Sequence, residues 1–201
     1  MYKKLASGTG EVEVIAQSKN PIFVTDWSKD GKFVLYTDAD PTTNLNIWVL
    51  PLEGDRKPFV YFQSPLEDTN GTFSPDGRFI AYQSRESGTY EIYVQTFPAS
   101  GVKLPISTIG GAIPVWAPSG KELFFIAPDG KLMSVEIGSG NPLEPGKPKP
   151  LFDIVAARAT QGNDFDVSAD GQRFLFISRM AEATSSLSVV INWTADLNKS
   201  P

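Results

Sequence analysis

The sequence predicts an all-β protein, a β-propeller of four-stranded antiparallel blades with about four blades in the chain. Three observations carry this prediction. A turn motif recurs four times, its glycines Gly31, Gly77, Gly120 and Gly171 standing 46, 43 and 51 residues apart. Short runs rich in β-branched and aromatic residues flank each copy. No segment carries an apolar 3.6-residue period long enough for a helix. Four short strands per unit, repeating every 40 to 50 residues or about that, is the pattern of a propeller blade.

Each repeat is built in the same order. The turns are Ser28-Lys29-Asp30-Gly31, Ser74-Pro75-Asp76-Gly77, Ala117-Pro118-Ser119-Gly120 and Ser168-Ala169-Asp170-Gly171. Asp or Ser at the third position and Gly at the fourth fit a type I turn, where the glycine supplies the positive φ that returns the hairpin to register. An aromatic or apolar residue precedes each turn: Trp27, Phe73, Trp116 and Val167. The second strands follow at 33–36, 79–82, 123–126 and 174–177. They are apolar at nearly every position, as expected of a strand covered on both faces. Third strands are expected at 46–50, 91–97, 131–137 and 187–193. Fourth strands are expected at 57–62, 103–108 and 149–154. The Pro- and Gly-rich stretch 138–150 reads as an extended loop between the third and fourth strands of the third unit.

The whole chain, 1–201, reads as one propeller domain. Its parts are a partial blade at 1–18 and blades at 19–64, 65–108, 109–155 and 156–201. Residues 2–6 and 11–17 have the character of third and fourth strands, although they come first. Pairing of 11–17 beside 187–193 would close a ring and hide the sheet edges. The alternative is that the chain is the tail of a larger ring, with open blade edges through which two copies could form a homodimer.

Composition narrows the chemistry. There is no cysteine and no histidine, so thiol chemistry, zinc-thiolate sites and the commonest general base are all missing. Net charge is −5 with no dense Lys/Arg block. Neither nucleic acid nor direct membrane contact is expected, because both need a basic surface. No apolar stretch approaches the roughly 20 residues of a membrane-spanning helix. The N-terminal residues have two lysines but no apolar core of a signal peptide.

The phrases "SPDGRFIAYQS" and "EIYVQTFP" resemble the repeats of TolB-type, WD40-like (PD40) bacterial propellers. The resemblance extends over nearly the whole chain. "VWAPSGKELFFIAPDGKLMSVEI", "GKPKPLFD", "DVSADGQRFLFI" and "VVINWTADL" are similar to the closing blades of propellers at the C-terminus of multidomain bacterial proteins. Some of those carry a serine/threonine protein kinase or a transcriptional-regulator domain before the propeller. The resemblance implies a sensing or protein-interaction module and favours a periplasmic or extracytoplasmic setting. Preceding blades and an attached catalytic or regulatory domain are absent from these 201 residues, so no attached activity carries over.

Motifs for catalysis are missing. A serine hydrolase needs a G-x-S-x-G elbow and a histidine; a kinase needs its Gly-rich and catalytic loops; neither set occurs. No Walker A pattern is present. Two carboxylate pairs remain, Asp38/Asp40 and Asp164/Asp166, of the residue type that glycosidases use. Asp166 occupies the same repeat position as Asp26, which favours a structural role in orienting the turn or inner strand. The stretch 38–44 has oxygen ligands at alternating positions but lacks the glycine and distal Glu of a calcium loop, so a solvated loop is favoured. Trp27, Trp48, Trp116 and Trp193 read as inter-sheet packing.

The loops between second and third strands and between blades are left as the binding surface: 38–44, 65–70, 85–89, 158–163 and 179–185. Asp38, Asp40, Arg85, Glu86, Arg158, Asp164 and Arg179 are the candidate contact residues. Arginines there suit a carboxylate or a peptide backbone. The expected function is a non-catalytic scaffold that binds a protein, peptide or small ligand and uses no cofactor or metal. The alternative is an accessory propeller of an enzyme, a serine/threonine kinase or prolyl-oligopeptidase-type peptidase, with its catalytic domain elsewhere. A carboxylate-based hydrolase or lyase ranks third.

Overall fold

The computed structural model describes residues 1–138, 140, 143–154, 165–178 and 186–191. Seventeen strands and no helix lie among the described residues. After a short pair, β1 (Tyr2–Lys3) and β2 (Glu13–Val14), the strands run in sequence order through antiparallel sheets. The first blade is β3 (Ile22–Trp27), β4 (Phe33–Asp40), β5 (Asn44–Pro51) and β6 (Phe59–Phe62). The second is β7 (Asp68–Phe73), β8 (Phe79–Ser84), β9 (Glu91–Thr96) and β10 (Lys103–Pro105). The third is β11 (Ala112–Trp116), β12 (Glu122–Ile126), β13 (Lys131–Glu136) and β14 (Lys149–Asp153). The last has β15 (Phe165–Val167), β16 (Arg173–Ser178) and β17 (Ser186–Ile191).

The repeated turns form as the sequence predicts. Gly31, Gly77, Gly120 and Gly171 have φ between 70° and 77°, and each donates its N–H three residues back, at 2.7 to 2.8 Å. In the second blade Ser74 Oγ donates to Asp76 Oδ1 at 2.7 Å and accepts the Phe79 N–H at 3.0 Å. Ser28–Asp30 and Ser168–Asp170 repeat this arrangement. The side chains thus satisfy the turn's own backbone donors at three of the four turns, and at the third, which starts with Ala117, Ser119 Oγ accepts the Lys121 N–H alone.

Successive blades bury apolar faces against each other. Leu35, Ile47 and Val49 of the first meet Phe73, Ile80, Tyr82 and Tyr93 of the second. Ala81, Ile92 and Val94 of the second meet Trp116, Leu123, Phe125 and Val135 of the third. Phe124 and Leu132 of the third meet Phe165, Phe174 and Phe176 of the last. The second strands β4, β8 and β12 therefore bury side chains on both faces, which explains their continuous apolar character, whereas β16 leaves Leu175 and Ile177 42% and 54% exposed, contrary to the expectation of cover on both faces. Polar ties cross the same seams. Asp26 Oδ2 accepts the Phe73 N–H at 2.7 Å and the Thr72 hydroxyl at 3.0 Å. Gln83 Oε1 accepts the Ile113 N–H at 2.8 Å.

Three further expectations are corrected. First, of the two alternatives for residues 11–17, pairing beside the last blade is not seen among the described residues. Glu13–Val14 pairs with Tyr2–Lys3 instead. A tight turn, with the Gly8 N–H donated to Leu5 at 2.9 Å, makes that hairpin local, and Glu13 is ion-paired to Lys3 and Arg56. Met1, Ile15 and Ala16 pack on Val34, Tyr36, Leu50 and Leu52 of the first blade. Second, Trp116 is buried among Phe79, Ile92 and Val94 of the preceding blade, but Trp27, at the same repeat position, is 52% exposed. Third, the stretch after β13 is not simply an extended loop. Ile137 bridges to Pro145, and Leu143 is buried with Phe79 and Trp116. The positions of Trp193 and of the remaining terminal residues lie outside the described residues.

Candidate functional site

Antiparallel order sends the ends of second and fourth strands, and the starts of first and third strands, to one end of the blades. The expected loops 38–44, 65–70 and 85–89 belong to this rim, and the hairpin turns with their glycines belong to the opposite end; the loops 158–163 and 179–185 lie outside the described residues. The rim is braced from beneath by three buried carboxylates, one at each described connection into a blade. Asp38 accepts from Asn20 Nδ2 at 2.7 Å and Ser18 Oγ at 3.1 Å. Asp68 accepts the N–H of Ser64 at 2.5 Å and its hydroxyl at 3.0 Å. Glu91 accepts the Gly110 N–H at 2.9 Å and the Ser107 hydroxyl. Burial raises the Asp68 carboxyl above the ordinary aspartate range, and its hydrogen bonds oppose that.

Asp40 caps its own loop. Its Oδ1 accepts the N–H groups of Thr42 at 2.7 Å and Thr43 at 3.1 Å, and those donors hold its carboxyl below the usual range. Asp38 and Asp40 are brought together only through Asn20, which donates to both. Asp166 is exposed and accepts the Val167 N–H at 2.8 Å, as Asp26 accepts that of Trp27. Asp164, Arg158 and Arg179 lie outside the described residues.

Arg85 stands in a compact cluster. Its Nη1 donates to Glu67 Oε2 at 3.2 Å, and its guanidinium lies 5.4 Å from the centre of the Tyr90 ring. The Tyr90 hydroxyl donates to the same Glu67 oxygen at 2.5 Å. These donors, Tyr90 first, hold the Glu67 carboxyl below its ordinary value, while burial and Glu67 push the Tyr90 hydroxyl up. Glu86 is paired with Lys103, whose ammonium also sits over the rings of Tyr93, at 4.9 Å, and Phe62, at 5.1 Å. Glu67 and Tyr90 escape sequence reading because they meet across 23 residues. The brace formed by Glu91 is hidden because that residue opens a strand.

The turn end has shallow grooves. One of about 370 Å³ lies between the first two turns over Phe33, Phe73 and Phe97. The next, of about 330 Å³, lies over Phe79, Trp116 and Leu143. Neither contains a candidate residue from the sequence. No group of three or more metal-ligating carboxylates occurs among the described residues.

The solved structure of TolB from Acinetobacter baumannii superposes with a TM-score of 0.70 at 19% identity, over 90% of this chain and 44% of that one. The fold is a TolB-type β-propeller. No family model matches the chain. A curated protein of Agrobacterium fabrum whose role is uncharacterized is 23% identical over 180 residues, which is 86% of this chain and 60% of that protein. The TolB-type fold is shared with two enzyme structures. An oligogalacturonate lyase in complex with manganese matches at TM-score 0.64 and 12% identity, over 92% of this chain and 55% of that one. A puromycin-hydrolyzing peptidase of Mycobacterium tuberculosis matches at 0.60 and 17%, over 84% of this chain and 29% of that one. The chain thus spans 60% of the curated relative and 44% of the TolB structure.

Proposed function

We propose that this chain is a non-catalytic propeller scaffold that binds a protein or peptide on its loop rim, around Arg85, Glu67 and Tyr90. The observation that carries this reading is the bracing of the rim. Asp38, Asp68 and Glu91 hold the blade connections from beneath, while Arg85 and Glu67 remain 44% and 37% exposed at their side chains. Groups held on a rigid base lose little entropy on binding. The carboxylates expected to do acid–base work are taken up as loop caps or turn acceptors, which favours binding over catalysis at Asp38, Asp40 and Asp166.

The test is selection of random peptides displayed on phage against the purified chain, followed by affinity measurement on Arg85→Ala. Enriched peptides that lose at least tenfold in affinity, with the unfolding midpoint unchanged, support the reading. Enrichment of no peptide, or equal binding to Arg85→Ala, overturns it.

An accessory propeller of an enzyme is the second reading, favoured by the fold shared with the peptidase, most of which lies outside the matched part. Association of two copies through the last blade is favoured by Leu175 and Ile177, which are 42% and 54% exposed. Light scattering that gives a monomer at every concentration removes that association.

A further inference from the structure

Leu66 and Ile109 stand at one repeat position, each eleven residues before a turn glycine, Gly77 or Gly120. Both are large, aliphatic and exposed, Leu66 by 41% and Ile109 by 82%. Their exposure is built in. Asp68 holds the connection carrying Leu66, and Glu91 holds Gly110 beside Ile109. Gly110 has φ +99°, and a Cβ there would stand 2.3 Å from Pro128, so the chain passes this point in one tight conformation.

A continuous path of hydrogen bonds joins the two. Glu67, next to Leu66, accepts the Arg85 N–H through its backbone carbonyl at 2.9 Å and Arg85 and Tyr90 through its carboxylate. The Tyr90 carbonyl accepts the Gly111 N–H at 2.8 Å, two residues from Ile109. On the other side Asn44 Nδ2 donates to the Pro65 carbonyl at 3.2 Å, which ties in the loop of Asp40. The result is one rim patch with an aliphatic knob at each end and Glu67, Arg85 and Tyr90 between them.

Its charge has a sign. Among the described residues within and beside the patch, the carboxylates that reach the surface, Asp40, Glu67 and Glu86, outnumber the cations Arg85 and Lys103. Glu67 uses Oε2 for both of its partners, and no described residue donates to Oε1. An acceptor is therefore open at the middle of the patch. A carboxylate arriving there would meet like charge, whereas an ammonium or guanidinium would complete Glu67 and lie near the Tyr90 ring.

We propose that this patch receives a segment of a partner protein in which a basic residue is flanked by apolar ones. The apolar side chains cover Leu66 and Ile109, and the basic group donates to Glu67. This inference rests on the loop-rim reading above, and it is separable from it. The apolar contacts supply affinity and the single charge supplies register, the usual division in such interfaces.

The experiment is to read the composition of the peptides that the selection enriches, and to titrate the best of them into the full chain and its variants. Enriched sequences should place Lys or Arg between apolar residues. Leu66→Asp and Ile109→Asp should each weaken binding at least tenfold, and so should Glu67→Gln at low salt. Val12→Asp, at a 53% exposed apolar position in the N-terminal segment before the first blade, should leave affinity unchanged. All four positions are on the surface, and an unchanged unfolding midpoint confirms that each variant folds. Peptides that depend on Arg85 but carry Asp or Glu at the centre overturn this inference and leave the loop-rim reading standing. Peptides indifferent to Arg85, Leu66 and Ile109 overturn both.

Discussion

Asp26 accepts the backbone N–H of Phe73 at 2.7 Å, a bond that spans 47 residues of sequence and joins the inner strands of two blades. The same carboxylate takes the Thr72 hydroxyl and the Trp27 N–H. Asp26→Ala leaves these donors at a packed seam without an acceptor, and should cost about 1–3 kcal/mol in urea unfolding. A loss below the error of the measurement would mean that water replaces the carboxylate.

The pH dependence of the same residue has an unusual sign. Burial raises the Asp26 carboxyl above its ordinary value. A raised folded pKa means that the native state holds the proton more tightly. This contribution is fully present below the unfolded pKa and is lost as pH rises through the folded one. The turn aspartates Asp30, Asp76 and Asp170 are lowered by their hydrogen bonds, so their contribution is present above the unfolded pKa and is lost as pH falls through the folded one. Asp26 thus offsets part of the acid loss. Relative to its own value at pH 7, Asp26→Asn should lose more thermal stability by pH 3 than the parent chain does. An equal or smaller loss contradicts this assignment.

Leu35 and Leu175 occupy the same place in the repeat, four residues after a turn glycine, yet Leu35 is 0% exposed and Leu175 42%. Leu35→Ala should cost roughly 2–5 kcal/mol, the range for a packed core leucine. Leu175→Ala should fall within about 1 kcal/mol. Equal costs in denaturant melts would show that the face of β16 carrying Leu175 is covered in solution.

Gly77 has φ +72°, and a Cβ there would meet nothing within 4 Å. Gly77→Ala therefore carries only the backbone penalty, roughly 1–2 kcal/mol, with no steric part. Thermal melts give the number directly, and a much larger loss would mean that the turn is coupled to its groove.

The turns could be read in the sequence because their chemistry is local: Ser, Asp and Gly within four residues satisfy one hairpin. The burial of β4, β8 and β12 on both faces was legible from their continuous apolar runs. The N-terminal pairing was not. Both partners available to residues 11–17 are short β-rich runs, and the local turn at Gly8, with ion pairs from Glu13, decides between them. Trp27 and Trp116 look alike in sequence, and only the neighbouring blade separates their burial. On the rim, Arg85 and Glu86 could be named as charged loop residues. Their partners Glu67 and Lys103 lie 18 and 17 residues away and follow from strand register. Asp38 looked like a ligand-facing carboxylate because a buried brace and an exposed acid read alike without the fold.

Glu91 gives a check on the bracing. Glu91→Ala removes the acceptor for Gly110 N–H and Ser107 Oγ, and should cost about 1–3 kcal/mol. It should also release the Ile109 loop. Limited proteolysis should then cut between 107 and 111 faster than in the parent chain, while cleavage at the turn ends stays the same. Unchanged cleavage would mean that Pro128 alone holds that loop.

The central claim is that the braced loop rim, and not the grooved turn end, is the binding face. Hydrogen exchange of the chain with and without a selected peptide tests it most directly. Protection confined to 64–68, 85–91 and 107–111 is the result predicted. Protection at 28–33 and 74–79, lining the groove over Phe33, Phe73 and Phe97, would place the partner on the opposite end and contradict it.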